Sequence, residues 1–246
     1  MKRPKLEFKV KSMTEFYESV FLFAKPDSKN CDFVLGQFNL DKDKALNSSG
    51  GREYVEKTLF TYYDCKKAEI EKCCKKITKL WVEIENQILN EFEKIFQIKF
   101  KGEEVYTVEI GLNRCCPRFL DEKTFDVCIS NNLSDVIQTI IHELIHFVWF
   151  EKWKKVFPDW KSQDFEAPSL IWLFSEIAVE PVVRYSNLKK FCGEKPAYNH
   201  FYTTQIGGKN VIKFFNELFE DSAGISVFMR KGIDYIMKNA GEFKKL

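Results

Sequence analysis

Residues 140–149 read IIHELIHFVW, and this stretch decides how the centre of the chain folds. On a helix with about 3.6 residues per turn, the apolar side chains between residues 136 and 149 fall on one broad face. The opposite face carries His142, Glu143 and His146 in place of the solvated Lys and Glu expected there. Two of the chain's three histidines therefore lie one helical turn apart, where both imidazoles can reach a single ion.

The spacing His-Glu-x-x-His has a specific chemical use on a helix. Two neutral imidazoles at positions i and i+4 bind a zinc ion, and the carboxylate between them reaches a water molecule. The pattern predicts that His142 and His146 are zinc ligands and that Glu143 is the general base of a hydrolase. The alternative is a pair of helix-surface histidines beside an ordinary glutamate, because a pattern of this length also arises by chance.

A catalytic zinc site usually has a third protein ligand, and the segment IWLFSEIAVEPVV at residues 171–183 offers one. Glu176 lies within an otherwise apolar helix, where a buried carboxylate is costly unless a cation balances it. Glu180 follows one turn later on the same face and suits a supporting role, accepting from the second ring nitrogen of a ligand histidine. The order of the two glutamates could be reversed, and a salt bridge to Arg184 is the alternative explanation of Glu180.

With HELIH and the later WLFSEIAVE, the chain resembles the gluzincin branch of the zinc metallopeptidases over roughly residues 80–185. The resemblance implies that His142, His146 and Glu176 bind Zn2+ and that Glu143 acts as general base. It places Glu180 where members of the family often have an aspartate. It also implies the order of long helix, β-strands, active-site helix and third-ligand helix.

A peptidase also needs a hydrogen-bond donor for the oxyanion that develops during attack on the carbonyl. The segment AYNHFYTTQIGG at residues 197–208 offers Tyr198, His200 and Tyr202. We expect His200 or Tyr202 to take this catalytic role. The alternative is that these side chains are ordinary packed or surface residues.

Sequence periodicity predicts mostly helices. They are expected at residues 12–24, 52–101, 131–158, 168–185, 209–220 and 222–240, with 52–101 forming one long helix or two nearly continuous ones. The segments EVYTVEIGL at 104–112 and TFDVCIS at 124–130 predict two strands, as a hairpin or as neighbours in one sheet. Residues 25–51 are expected to be loop-rich. The strand at 124–130 could be a sheet edge that pairs with an extended substrate, or an ordinary core strand.

These elements predict an α+β fold that is mostly helical, with a small β-sheet packed on a zincin-like pair of helices. One helix of the pair carries the HExxH motif, and the other carries the third-ligand glutamate. We expect a helical N-terminal region at residues 1–100 and a metallopeptidase-like region at residues 101–246, or both as one continuous domain. The length of 246 residues and the hydrophobic content of 45% are sufficient for a buried core.

Composition argues against several other classes. The formal net charge of +2 gives no global attraction to nucleic acid or to an anionic membrane. The N-terminus lacks the apolar core of a signal peptide, and no stretch reaches the roughly 18 apolar residues of a membrane span. The eight cysteines include no C-x-x-C, which favours reduced thiols and a cytoplasmic protein.

The sequence therefore favours a zinc-dependent peptidase that acts on a peptide or protein substrate, without predicting its oligomeric state. One alternative is a non-peptidase metal amidase in which Cys128 or Cys115 replaces Glu176 as third ligand. Another is a binding or regulatory protein that keeps a metallopeptidase-like fold without turnover. The presence of Glu143 argues against the second alternative, since an inactive site does not need a base.

Overall fold

The computed structural model describes residues 1–159, 161–193 and 199–246, and it is mostly helical with a small mixed sheet, which confirms the α+β class. The α-helices are α1 Met13–Phe21, α2 Cys31–Gln37, α3 Lys42–Ala45, α4 Gly51–Ile95, α5 Leu133–Val156, α6 Leu170–Arg184, α7 Asn199–Thr203, α8 Val211–Glu220, α9 Ile225–Lys238 and α10 Ala240–Phe243. The strands are β1 Arg3–Val10, β2 Glu103–Gly111, β3 Arg118–Phe119, β4 Thr124–Cys128, β5 Gln205–Ile206 and β6 Lys209–Asn210. Short 3-10 helices occupy Ser162–Phe165 and Asn187–Lys190.

The predicted helices are confirmed within a few residues, except that the helix expected to reach residue 101 ends at Ile95, and α4 is one continuous helix. The segment 25–51 contains α2 and α3, which are too short for apolar periodicity to reveal. The helix α1 begins with a capping box, in which the Glu15 amide donates to the Ser12 hydroxyl and the Ser12 amide donates to the Glu15 carboxylate. Within the described ranges, no helix combines the length and apolar character needed to cross a bilayer.

The chain divides into two compact units, and the first holds the sheet. This unit comprises residues 4–83 and 104–136, and its four strands have the order β1-β2-β4-β3. The two strands that the sequence predicted are neighbours, but they run parallel, with Glu109 opposite Asp126. A hairpin is therefore excluded, because parallel strands cannot be joined by a tight turn.

The strand β4 is an inner strand at Thr124–Asp126, which favours the alternative of an ordinary core strand over a free edge for substrate there. The short strand β3 pairs with it on the side away from β2, with Arg118 opposite Phe125. The Asp126 amide extends this pairing by donating to the Pro117 carbonyl over 2.9 Å. These main-chain groups are already used within the sheet and cannot bind an extended peptide.

The second unit, residues 1–3, 84–103 and 137–246, has an aromatic core around Phe174 of α6. The ring centroid of Phe174 lies 5.1 Å from Trp149 of α5, 5.4 Å from Phe215 of α8 and 5.6 Å from Phe228 of α9. The contact with Trp149 is edge to face, a favourable geometry for aromatic pairs. Packing around one side chain thus fixes α6 against three other helices.

Gly232 of α9 makes room for this ring. A Cβ atom at position 232 would lie 2.2 Å from the Phe174 Cζ atom. We expect Gly232→Ala to lower the free energy of unfolding by about 1–3 kcal/mol because of overpacking, although alanine normally favours a helix. Urea unfolding measures this effect. The control Gly241→Ala, where a Cβ atom would meet nothing within 4 Å, is expected to cause no loss, and equal losses in both variants would contradict the prediction.

Candidate metal centre

The polar residues of the HELIH stretch do not face solvent. Every residue of α5 from 140 to 150 is buried, and the exposed fractions of His142, Glu143 and His146 are 9%, 5% and 0%. The helix is thus covered on both faces here, and the alternative of two surface histidines does not describe this site. Burying three polar side chains together is costly unless they have polar or ionic partners.

Glu176 joins the two histidines from the neighbouring helix α6. Its side chain is 4% exposed, and its Oε2 atom lies 3.2 Å from His142 Nε2 and 3.3 Å from His146 Nε2. The two Nε2 atoms are 2.9 Å apart. Three atoms that can donate a lone pair therefore converge on one point, and we call His142, His146 and Glu176 the triad.

The triad fits a zinc ion in donor type and in spacing. Two imidazoles and one carboxylate are a donor set used by catalytic zinc sites. Ligand atoms about 2.0–2.1 Å from a tetrahedral zinc ion lie about 3.3–3.4 Å from one another. The observed separations of 2.9, 3.2 and 3.3 Å lie close to this value, so side-chain shifts of a few tenths of an ångström suffice.

Glu143 lies beside the triad but is not part of it. Its Oε1 atom is 4.0 Å from His142 Nε2, beyond hydrogen-bonding distance. The carboxylate is buried with the triad, in the position that the His-Glu-x-x-His spacing gives to a base. Glu143 thus lies next to the triad without belonging to it.

Two neighbours of the triad were not identified from the sequence. Phe150, one turn after His146, stacks on its ring with centroids 6.1 Å apart and an interplanar angle of 18°. Gln138, one turn before His142, accepts a hydrogen bond from the Gly193 amide over 3.1 Å. Their i±4 spacing from the histidines is the signal that marks them, because residues one turn apart share a helix face.

Glu180 forms a network with Arg184 and Tyr202. The Arg184 guanidinium donates to Glu180 Oε1 from Nε over 2.9 Å and from Nη2 over 2.6 Å, which is the salt bridge weighed as the alternative. The Tyr202 hydroxyl donates to the same carboxylate oxygen and accepts from Arg184 Nη2 over 3.0 Å. Glu180 is thus engaged by these two residues, while Glu176 is the carboxylate within the triad.

Of the three candidate oxyanion donors, the structure describes the side chain of Tyr202 alone. Burial, together with the Glu180 carboxylate, raises the pKa of Tyr202 to about 12, so its hydroxyl keeps its proton at neutral pH. Tyr198 lies outside the described residues. The main chain of His200 belongs to α7, and its side chain lies outside the described part.

Neither cysteine of the alternative ligand set belongs to the triad. Among the described residues, the group of metal-ligand atoms that converges is made of two histidines and Glu176. The Cys128 thiol donates to the Leu112 carbonyl, and burial raises its pKa to about 12. Burial likewise raises the pKa of Cys115 to about 11. Without a metal ion both side chains are therefore neutral thiols at neutral pH, and neither lies in the converging group.

Comparison of the chain with protein-family models, with curated proteins and with solved structures gives no match in any of the three.

Proposed function

We propose that this protein is a zinc-dependent peptidase. The observation that carries the proposal is the convergence of His142, His146 and Glu176 within 3.3 Å of one another, with Glu143 beside them. Without a metal, the buried ligand atoms of the triad are hydrogen-bond partners of one another, at 2.9 and 3.2 Å. A bound cation would balance the Glu176 carboxylate and accept the lone pairs of both imidazoles.

A zinc ion held by the triad would act as a Lewis acid and lower the pKa of water towards 7. Glu143 would take the proton from the attacking water and pass it to the leaving amine, as a general base and then a general acid. Tyr202, still protonated at neutral pH, is the candidate donor to the developing oxyanion. Its hydroxyl would have to exchange its bond to Glu180 for one to the substrate.

Metal content is the first test of this proposal. We expect purified wild-type protein to hold about one zinc ion per chain and His142→Ala and Glu176→Gln to hold little, since each removes one of three ligands. Glu180→Gln is the matched control, because it removes a carboxylate one turn away that pairs with Arg184. We expect this control to retain its zinc. Elemental mass spectrometry measures the content, and circular dichroism checks that each variant is folded.

Two outcomes would count against the assignment of the ligands. If Glu180→Gln lost zinc while Glu176→Gln kept it, the order of the two glutamates would be the reverse of that proposed. If folded wild-type protein neither contained zinc nor took it up on addition, the triad would not be a zinc site, and the peptidase proposal would fail.

A second candidate is a metal-binding protein without turnover. The observation that favours it is burial, because His142, the most exposed member of the triad, is only 9% exposed. The two candidates differ in one measurement, the cleavage of a mixed peptide library by zinc-loaded protein. Hydrolysis that disappears on removal of zinc supports the peptidase, and its absence at full zinc occupancy supports the second candidate.

A further inference from the structure

The first compact unit presents a basic surface on the long helix α4. Lys72, Lys75, Lys76 and Lys79 follow the spacing i, i+3, i+4 and i+7, which places them on one side of the helix, and all four are exposed. With a rise of about 1.5 Å per residue, the four ammonium groups project from about 10 Å of helix. We call these four residues the lysine face.

The four lysines of the lysine face form no ion pair with the described residues. In the part of the chain that the structure describes, no carboxylate lies within 4.0 Å of any of the four Nζ atoms. Other basic residues of α4 do pair, as Arg52 does with Glu56 over 2.8 Å and Lys66 with Glu69 over 2.7 Å. Like charges one turn apart repel on a helix, and a partner of opposite charge would relieve this repulsion.

We propose that the lysine face binds an acidic helical segment of a partner protein. A helix with carboxylates at the same i, i+3, i+4 and i+7 spacing would place one acid opposite each lysine when it lies alongside α4. Val82, next to the lysine face, is 72% exposed and would be covered by the apolar edge of such a helix. This binding surface is independent of the peptidase proposal.

The acidic residues at the two ends of the lysine face favour a protein segment over a nucleic acid as its partner. Exposed acids border it at both ends, Glu69 and Glu71 before Lys72 and Glu83 after Lys79. A continuous phosphate backbone would meet these carboxylates, whereas a two-turn acidic segment fits between them. The single aromatic residue between positions 69 and 83, Trp81, is buried and cannot stack on bases.

The test measures binding of full-length protein to a labelled helical peptide with glutamate at positions i, i+3, i+4 and i+7. A duplex RNA and phosphatidylserine vesicles are measured in parallel, and circular dichroism checks folding. The charge-neutralised variant combines Lys72→Gln, Lys75→Gln, Lys76→Gln and Lys79→Gln. The matched control removes the same charge from exposed positions elsewhere, by Lys231→Gln, Lys238→Gln, Lys244→Gln and Lys245→Gln.

We expect the wild type to bind the peptide and neutralisation of the lysine face to weaken this binding at least about tenfold, since each exposed pair contributes a factor of about two. The control is expected to bind like the wild type, and added salt should weaken both. Absence of peptide binding, or equal binding by the two variants, would overturn the proposal. Lysine-dependent binding that is tighter to RNA or to vesicles would overturn it as well, by assigning the surface to a different polyanion.

Discussion

Replacement of Glu143 by glutamine is expected to slow peptide hydrolysis by about 10²–10⁴-fold while leaving the zinc content unchanged. Glutamine has nearly the same shape as glutamate but cannot accept the proton of the attacking water. Because Glu143 Oε1 lies 4.0 Å from His142 Nε2, outside the triad, its loss removes a base and not a metal ligand. The rate is measured as kcat/KM on a peptide that the wild type cleaves, together with zinc by elemental mass spectrometry.

The matched control for this variant is Glu151→Gln, two turns further along α5. Glu151 is partly exposed and pairs with Lys154 over 3.1 Å, so its replacement should change the rate less than twofold. If Glu143→Gln retained wild-type activity, Glu143 would not be the general base. If the variant lost its zinc instead, Glu143 would support the metal site and the loss of rate would say nothing about proton transfer.

The local part of the site follows from the sequence because helix geometry relates residues one turn apart. The spacing of His142 and His146 requires their side chains to meet on any regular helix. The prediction that Glu176 approaches the two histidines has a different basis: a carboxylate within an apolar helix is costly unless a cation balances it. The sequence cannot give distances between helices, because these depend on packing of side chains such as Phe174 and Trp149.

The difference between local helix spacing and packing between helices also applies to Glu176 and Glu180. On sequence alone both orders of Glu176 and Glu180 were open, because residues four apart share a helix face. In the structure Glu180 is engaged by Arg184 on its own helix and by Tyr202 of α7. The first partner follows from i, i+4 spacing, whereas the second depends on how distant segments pack.

The sheet was only partly predicted. Residues 3–10, RPKLEFKV, alternate charged with apolar side chains, and this period of two is the local signal of the half-buried strand β1. The order β1-β2-β4-β3 is harder to predict, since strand pairing is a long-range property. Parallel pairing of β2 and β4 in particular is invisible in the local sequence, because each strand shows the same alternation in either direction.

The parallel pairing of β2 and β4 brings two buried acidic side chains together. Glu109 of β2 lies directly opposite Asp126 of β4, and their side chains are only 7% and 3% exposed. Like charges opposite each other destabilise a sheet. Lys11, with a side chain that is 4% exposed, contacts both carboxylates and lies 2.7 Å from Asp126 Oδ1. This ammonium group therefore bridges two buried acids, one of which, Glu109, is also contacted by the exposed Lys9.

We expect Lys11→Met to lower the free energy of unfolding by about 3–5 kcal/mol, because it keeps the aliphatic packing but removes the buried cation from Asp126 and leaves Glu109 with the exposed Lys9. Urea unfolding near neutral pH measures the loss. The matched control is Lys9→Met, since Lys9 contacts Glu109 over 2.7 Å but is 49% exposed. That exposed pair should contribute at most about 1 kcal/mol. Similar losses in the two variants would contradict the role assigned to Lys11.

The pH dependence provides an independent check of the cause. Burial raises the pKa of the Asp126 carboxyl to about 6, although the Lys11 ammonium acts in the opposite direction. A carboxyl whose pKa is raised by folding binds its proton more tightly in the folded state, so stability increases as pH falls through this pKa. Removal of Lys11 should raise the pKa further. The loss caused by Lys11→Met should therefore shrink between about pH 7.5 and pH 5, and a loss that is independent of pH would indicate a packing defect instead.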